Sequence, residues 1–250
     1  KISDIKKFPE SMTVEDILVQ SSNIGTVKIV RKIGEEKYKK FLKELNLFNS
    51  PNFELDEIGK PIPFNWNKCK LETVSFGHGI TTTPLQAAAA YATLINGGMS
   101  ITPTLEKDKN NNLKSKRIIS EGTSKKINNI LRKVVTDKNG TASLADIYGY
   151  NVSGKTGTSQ YYEDESKNIN TFISFFTAAN KKYILLVMLD DPKIAKNLTY
   201  NYRGIKIKGT RNEAGWNAVY SSGKIIEKIG PILAINNKEI LNHHVVKKIN

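Results

Sequence analysis

The sequence predicts an α+β fold, an antiparallel sheet packed with helices. The prediction rests on a change of period. Up to about residue 135 the apolar residues recur at helical spacing between helix caps, whereas from Tyr150 onward they recur at strand spacing. It rests also on order: helical runs come first, then three consecutive strand-like runs joined by loops, then one more helical run.

Each element has a local reason. Thr13 is placed to cap a helix opening Val14-Glu15-Asp16-Ile17-Leu18, whose acids lie where the helix dipole favours them. Ser21-Ser22-Asn23 reads as a turn, and a second helical run follows it to Gly34. From Glu35 to Leu47 the spacing puts Tyr38, Phe41, Leu42 and Leu45 on one face of an amphipathic helix. Prolines mark Pro51 to Lys70 as an irregular loop. Thr83-Pro84 sets a capping residue before a proline at the first helical position, and Gly97-Gly98 stops the alanine-rich run Leu85 to Asn96. A helix so apolar on all sides belongs at the centre of a domain. Ser124 to Val135 turns Ile127, Ile130, Leu131 and Val134 inward, and Asn139-Gly140 is a turn signal. Val152 to Thr158, Thr171 to Ala178 and Tyr183 to Leu189 read as strands, the third ended by Asp191-Pro192. Asn197 to Gly209 reads as a polar, basic excursion and Ala214 to Ile229 as a closing helix. The expected organisation is one domain over residues 1–250, helical over about 11–135, with sheet and closing helix over about 150–230.

Composition excludes several function classes. The single cysteine, Cys69, allows no internal disulfide, and with three histidines there is no convincing zinc cluster, so neither metal nor cofactor is expected. A net charge of +14 raises the question of nucleic acid. The lysines are scattered, however, as in Lys6-Lys7, Lys39-Lys40, Lys125-Lys126, Lys181-Lys182 and Lys247-Lys248. No basic stripe interleaved with aromatics appears, so a solvated surface is expected and no nucleic-acid partner, with attraction to an anionic membrane or cell-wall polymer left open. The most apolar stretch, Ala87 to Ile95, falls far short of a membrane span. The chain opens Lys1-Ile2-Ser3 without initiator Met or leader pattern and is expected to be a fragment.

The strongest chemical signal is Lys155-Thr156-Gly157-Thr158 at the start of the first strand, preceded by Ser153-Gly154. Read alone it fits a strand edge whose glycine admits close backbone approach, and equally a strand along which a ligand lies. Ser21-Ser22-Asn23 read alone fits a helix cap. Order links the two: the interhelical Ser-x-Asn lies far upstream of the Lys-Thr-Gly strand. Between them come Phe76-Gly77-His78-Gly79-Ile80, Thr83-Pro84-Leu85-Gln86-Ala87-Ala88, Tyr91-Ala92, Asn96-Gly97-Gly98 and Gly140-Thr141-Ala142.

On these residues, from about Thr13 to Leu233, the chain resembles the transpeptidase domain of class B penicillin-binding proteins, in particular the division-specific (septal) branch. The resemblance implies the penicillin-binding/serine β-lactamase-like transpeptidase fold. It implies a serine on a Ser-x-x-Lys helix that attacks a D-Ala-D-Ala stem peptide, and an acyl-enzyme resolved into a cross-link by a neighbouring amine. It implies roles for Ser21 in a proton relay beside the nucleophile, for Asn23 at the substrate amide, and for Lys155 as a source of positive potential. Thr156 and Thr158 would offer hydroxyls to the substrate carboxylate beside Gly157, with the Thr158 N–H as half of an oxyanion hole. β-Lactams and other division proteins are the implied partners, and the extracytoplasmic side of the bacterial membrane the implied location, with an anchor upstream. The chemistry supports these residue types independently, since a serine hydroxyl needs a base of lowered pKa, and a second cation such as Lys155 helps lower that of a lysine.

One part of the pattern is missing. The family's Ser-x-x-Lys lies a few dozen residues before Ser-x-Asn, yet Ser3-Asp4-Ile5-Lys6 is too near Ser21 and is followed by a helix-breaking Pro9. Ser221-Ser222-Gly223-Lys224 falls after the Lys-Thr-Gly strand. Both matches are expected to be fortuitous, which makes the fold incomplete at its N-terminus, the domain partial, and this fragment inactive without its serine and lysine. Ser159 stands where the family usually has alanine; His78 reads as a loop histidine, His243-His244 as an exposed pair, and Trp66 and Trp216 as packing residues. The competing readings are a non-catalytic division scaffold of the same fold and a serine β-lactamase or β-lactam sensor.

Overall fold

The computed structural model describes residues 2–55, 57–59, 61, 62, 66, 70–106, 115–161, 164 and 166–249, with side chains described as far as residue 236. Cys69 and the side chains of His243 and His244 lie outside the described residues. Two compact units form, residues 1–130 and 131–250.

In the first unit, local capping sets the helices. Helix α1 (Val14–Gln20) opens on a reciprocal box: the Asp16 N–H donates to the Thr13 hydroxyl at 3.0 Å and the Thr13 N–H to the Asp16 carboxylate at 3.3 Å. Ser21 ends α1 and Ser22 caps α2 (Asn23–Ile33). The two helices pack closely because position 25 is glycine; a Cβ there would stand 2.6 Å from the buried Ile17 side chain. Helix α3 (Glu35–Glu44) buries Leu42, and α4 (Lys70–Ser75) packs on α2, its Val74 carbonyl accepting from the Tyr38 hydroxyl at 3.3 Å. Burial pushes the Tyr38 phenol up to about 12.

Helix α5 (Pro84–Ile95) is less enclosed than its composition suggests. Gln86, Ala90, Thr93 and Ile95 are buried while the other residues after Pro84 are half-buried. Alanine side chains are too small to enforce full enclosure, so the helix is fixed by polar groups instead. Ser124 of α6 (Glu121–Thr136) donates to the Leu94 carbonyl at 2.6 Å and accepts from the Gly97 N–H at 3.1 Å. Helix α6 begins three residues before the expected Ser124, and the boundary between the units falls within it.

In the second unit, β1 (Ser153–Gln160), β2 (Asn168–Ala178) and β3 (Lys181–Asp190) form an antiparallel sheet in that order. The expected strands are borne out with shifted ends: β1 starts one residue later and ends two later, β2 starts three residues earlier, and β3 gains two residues at its start and one at its end. Central β2 is buried on both faces, through Phe172 and Phe176 on one and Ile173 and Phe175 on the other. Helix α7 (Ala218–Ile249) packs on β2 and β3, burying Ala218, Val219, Ser222 and Ile226.

Two expectations are corrected here. The stretch read as an excursion contains a hairpin, β4 (Thr199–Tyr202) and β5 (Ile205–Lys208), whose turn residues Arg203 and Gly204 have φ of 53° and 84°. Tyr200, opposite Ile207, is buried against Trp216 and Tyr220, and the Arg203 guanidinium donates to the carbonyls of Thr136 and Asp137 at the end of α6. Helix α7 starts at Ala218 rather than Ala214, because residues 214–217 serve as a turn against β1, and it continues past Pro231 to Ile249. A proline removes one intrahelical donor, and the leucine-, lysine- and glutamate-bearing run beyond it resumes the helix.

Candidate active site

Strand β1 ends the order of the three-stranded sheet, pairing with β2 along one edge only among the described residues. Alternation puts Lys155 and Gly157 on one face, opposite Ile173 and Thr171, and Thr156 and Thr158 on the other, opposite Phe172 and Asn170. Exposure begins at Gly157 and continues to Gln160. A ligand flush with the outer edge is therefore the one position that both sets of side chains can serve.

The two glycines of the strand differ. At Gly154 a Cβ would meet the Ile173 carbonyl oxygen at 2.4 Å and the Phe172 ring at 2.9 Å, so this is where backbone and core approach closely. At Gly157 the nearest atom would be 3.9 Å away. Packing among the described residues does not require the motif glycine.

Burial lowers the Lys155 ammonium to about 8, and its Nζ donates to the Thr156 carbonyl at 3.1 Å. The Thr156 hydroxyl shares a hydrogen bond of 2.9 Å with that of Thr141, and the Thr158 hydroxyl accepts from the Ala214 N–H at 3.4 Å. A cation and two hydroxyls along an exposed strand are a donor set suited to a carboxylate.

Ser21 and Asn23 belong to the first unit. Ser21 is exposed and holds a left-handed φ of 62° at the end of α1, a conformation uncommon for a residue with a Cβ. Buried Ser22 performs the capping, its Oγ accepting from the Gly25 N–H at 2.9 Å and donating to Asp4 at 3.0 Å. The other Asp4 oxygen accepts from the Ile24 N–H at 3.2 Å, and the Asn23 amide donates to the Ser3 carbonyl at 3.2 Å. The tripeptide is thus a helix cap in its middle residue, with the two residues of chemical interest on either side. Asp4 escaped the sequence reading, since no local pattern marks a carboxylate that reaches a turn so far along the chain.

The neighbouring segments are structural. Thr83-Pro84-Leu85-Gln86 is a start signal for α5: Thr83 and Gln86 cap each other reciprocally, and the Gln86 amide donates to the carbonyls of Asn46 at 2.9 Å and Asn49 at 2.6 Å. His78 is exposed in the loop after α4, its ring 6.4 Å from that of Phe76. Lys39 lies over Trp66 at 4.6 Å, and Trp216 packs between Tyr200 and Tyr202. Residues 3–6 are not helical, while Ser221 and Lys224 lie in α7, where Lys224 pairs with Glu227 at 2.8 Å. Among the described residues no cluster of His, Cys, Asp or Glu is arranged for a metal, and no helix is long and apolar enough to cross a membrane.

The fold is that of penicillin-binding transpeptidases. The transpeptidase domain of Burkholderia pseudomallei penicillin-binding protein 3 superposes with a TM-score of 0.70 at 23% identity, over 87% of this chain and 65% of that one. Penicillin-binding protein 3 of Mycobacterium tuberculosis, solved with aztreonam, gives 0.68 at 22% identity, over 86% and 51%. The penicillin binding protein transpeptidase domain model matches residues 1–210, and the chain belongs to that family. Relatives include the probable peptidoglycan D,D-transpeptidase FtsI of Caulobacter vibrioides, 29% identical over 95% of this chain, and stage V sporulation protein D of Bacillus subtilis, 32% identical over 72%. The chain spans 41% and 30% of the lengths of these two relatives.

Proposed function

We propose that this chain is part of the catalytic domain of a peptidoglycan D,D-transpeptidase acting in septal wall synthesis on the outer side of the cytoplasmic membrane. The observation that carries the reading is β1, where Lys155, Thr156 and Thr158 stand along an edge kept clear at Gly157. The substrate is a stem peptide ending in D-Ala-D-Ala, and β-lactams are its mimics. The D-Ala carboxylate receives hydrogen bonds from Thr156 and Thr158. Lys155 adds positive potential there and at the nucleophile, and the Thr158 N–H stabilises the oxyanion as the carbonyl is attacked. Asn23 holds the substrate amide and Ser21 passes the nucleophile's proton to the departing amine. A neighbouring stem-peptide amine then takes the acyl group. The attacking serine and its lysine are supplied from outside these 250 residues, a reading supported by the non-helical Ser3-to-Lys6 segment and the Lys224–Glu227 pair. Other division proteins hold the enzyme at the septum.

Substitution in the full-length protein tests this. Lys155→Ala should lower penicillin acylation by roughly two or more orders of magnitude, the scale of a lost electrostatic contact. Asn23→Ala should slow it through poorer positioning, and exposed Lys182→Ala should leave it unchanged. Stopped-flow acylation rates decide, with melting temperatures as control; unchanged acylation with Lys155→Ala would refute the assignment of β1.

A further inference from the structure

We propose that Thr141 is a positioning residue for carboxylate recognition, acting through the Thr156 hydroxyl; this rests on the assignment of β1 made above. The two hydroxyl oxygens are 2.9 Å apart. A hydroxyl has one proton to give and two lone pairs to accept with, whereas a carboxylate only accepts. Once Thr156 gives its proton to a substrate carboxylate, the proton between the two threonines comes from Thr141. Thr141 thereby turns the Thr156 proton outward, and a hydroxyl that accepts one hydrogen bond donates a stronger one.

Thr141 is built to hold this place. Its neighbour Ala142 is fully buried and donates its N–H to the Val134 carbonyl at 3.0 Å, tying the segment to α6. On the other side Gly215 lies so close that a Cβ there would stand 2.7 Å from the Thr141 carbonyl oxygen. The backbone is fixed from both sides, so the hydroxyl is presented to β1 at a set distance. The Gly140-Thr141-Ala142 segment thus has a task beyond turning the chain: it sets the rotamer and proton direction of a residue on the strand.

The test compares acylation of the full-length protein by a penicillin and by its methyl ester, which cannot present a carboxylate. Thr141→Val should raise the half-saturating concentration of the free acid roughly tenfold, the scale of one hydrogen bond to a charged group, with a smaller change in the limiting rate. The ester should be affected little. Thr141→Ser, which keeps the hydroxyl, should behave as wild type, and Thr141→Ala replaces Val should Val not fold. The double variant with Thr156→Val should be no worse than Thr156→Val alone. Equal losses with acid and ester, or additive losses in the double variant, would overturn the inference. Failure of the unsubstituted protein to react with either compound would remove the underlying reading and the inference with it.

Discussion

Gly154 and Gly157 lie on the same strand under opposite constraints, and substitution separates folding from binding at the scale of single atoms. Gly154→Ala would drive a methyl into the Ile173 carbonyl at 2.4 Å, an overpacking expected to cost about 1–3 kcal/mol in thermal or urea unfolding. Gly157→Ala meets only the Thr171 Cβ at 3.9 Å, an ordinary van der Waals contact. It should leave the melting temperature unchanged while slowing penicillin acylation by roughly tenfold to a hundredfold, because the methyl obstructs the edge. Lys155 makes a second prediction. Its folded value of about 8 lies below the ordinary 10.5, so between these the unfolded chain holds more protons. Its cost to stability is fully present below pH 8 and is relieved as pH rises toward 10.5. Activity that depends on the cation runs the other way, declining as pH rises through about 8. Lys155→Arg should shift that alkaline limb upward in a pH–rate profile, since a guanidinium stays charged.

At the scale of elements, the family-like segments divide into those proposed to do chemistry and those that start helices. Thr83-Pro84-Leu85-Gln86 is of the second kind. The Gln86 side chain closes the cap of α5 and its amide holds the Asn46 and Asn49 carbonyls. Gln86→Ala should cost about 2–3 kcal/mol, one cap and two buried hydrogen bonds, read as a lower melting temperature. Gln86→Glu, which keeps an oxygen for the cap and loses the two donors, should fall between. The hairpin of β4 and β5 shows the converse difficulty. Its alternation of Tyr200, Tyr202, Ile205 and Ile207 is strand-like, but the turn carries Arg203 where asparagine or glycine would have announced it. Arg203 is there for the carbonyls at the end of α6, a partner far away in sequence.

At the scale of the whole chain, the proposed division of the catalytic groups has a direct consequence. The 250-residue chain by itself should form no covalent adduct with a fluorescent penicillin, because neither serine of its two Ser-x-x-Lys matches is paired with its lysine on a helix at β1. Intact-mass spectrometry checks this, and a stoichiometric adduct on Ser3 or Ser221 would reverse the assignment. The full-length protein should label at one serine outside these residues.

What the sequence determined by itself was local. Thr13, Ser22 and Thr83-Pro84 start helices through hydrogen bonds to residues three places on, and the short strand-like runs of β1 to β3, bounded by turn signals, encode strands without reference to any partner. The Lys-Thr-Gly-Thr strand and the interhelical Ser-x-Asn were legible for the same reason, as short patterns in fixed order. Tertiary structure decided what depends on distant residues. It brought Asp4 to the cap of α2, paired Thr141 with Thr156, buried Lys155 enough to lower its pKa, and made residues 214–217 a turn on β1 instead of helix. Each of these is a hydrogen bond or a desolvation between segments that share no periodicity, so only folding could create it.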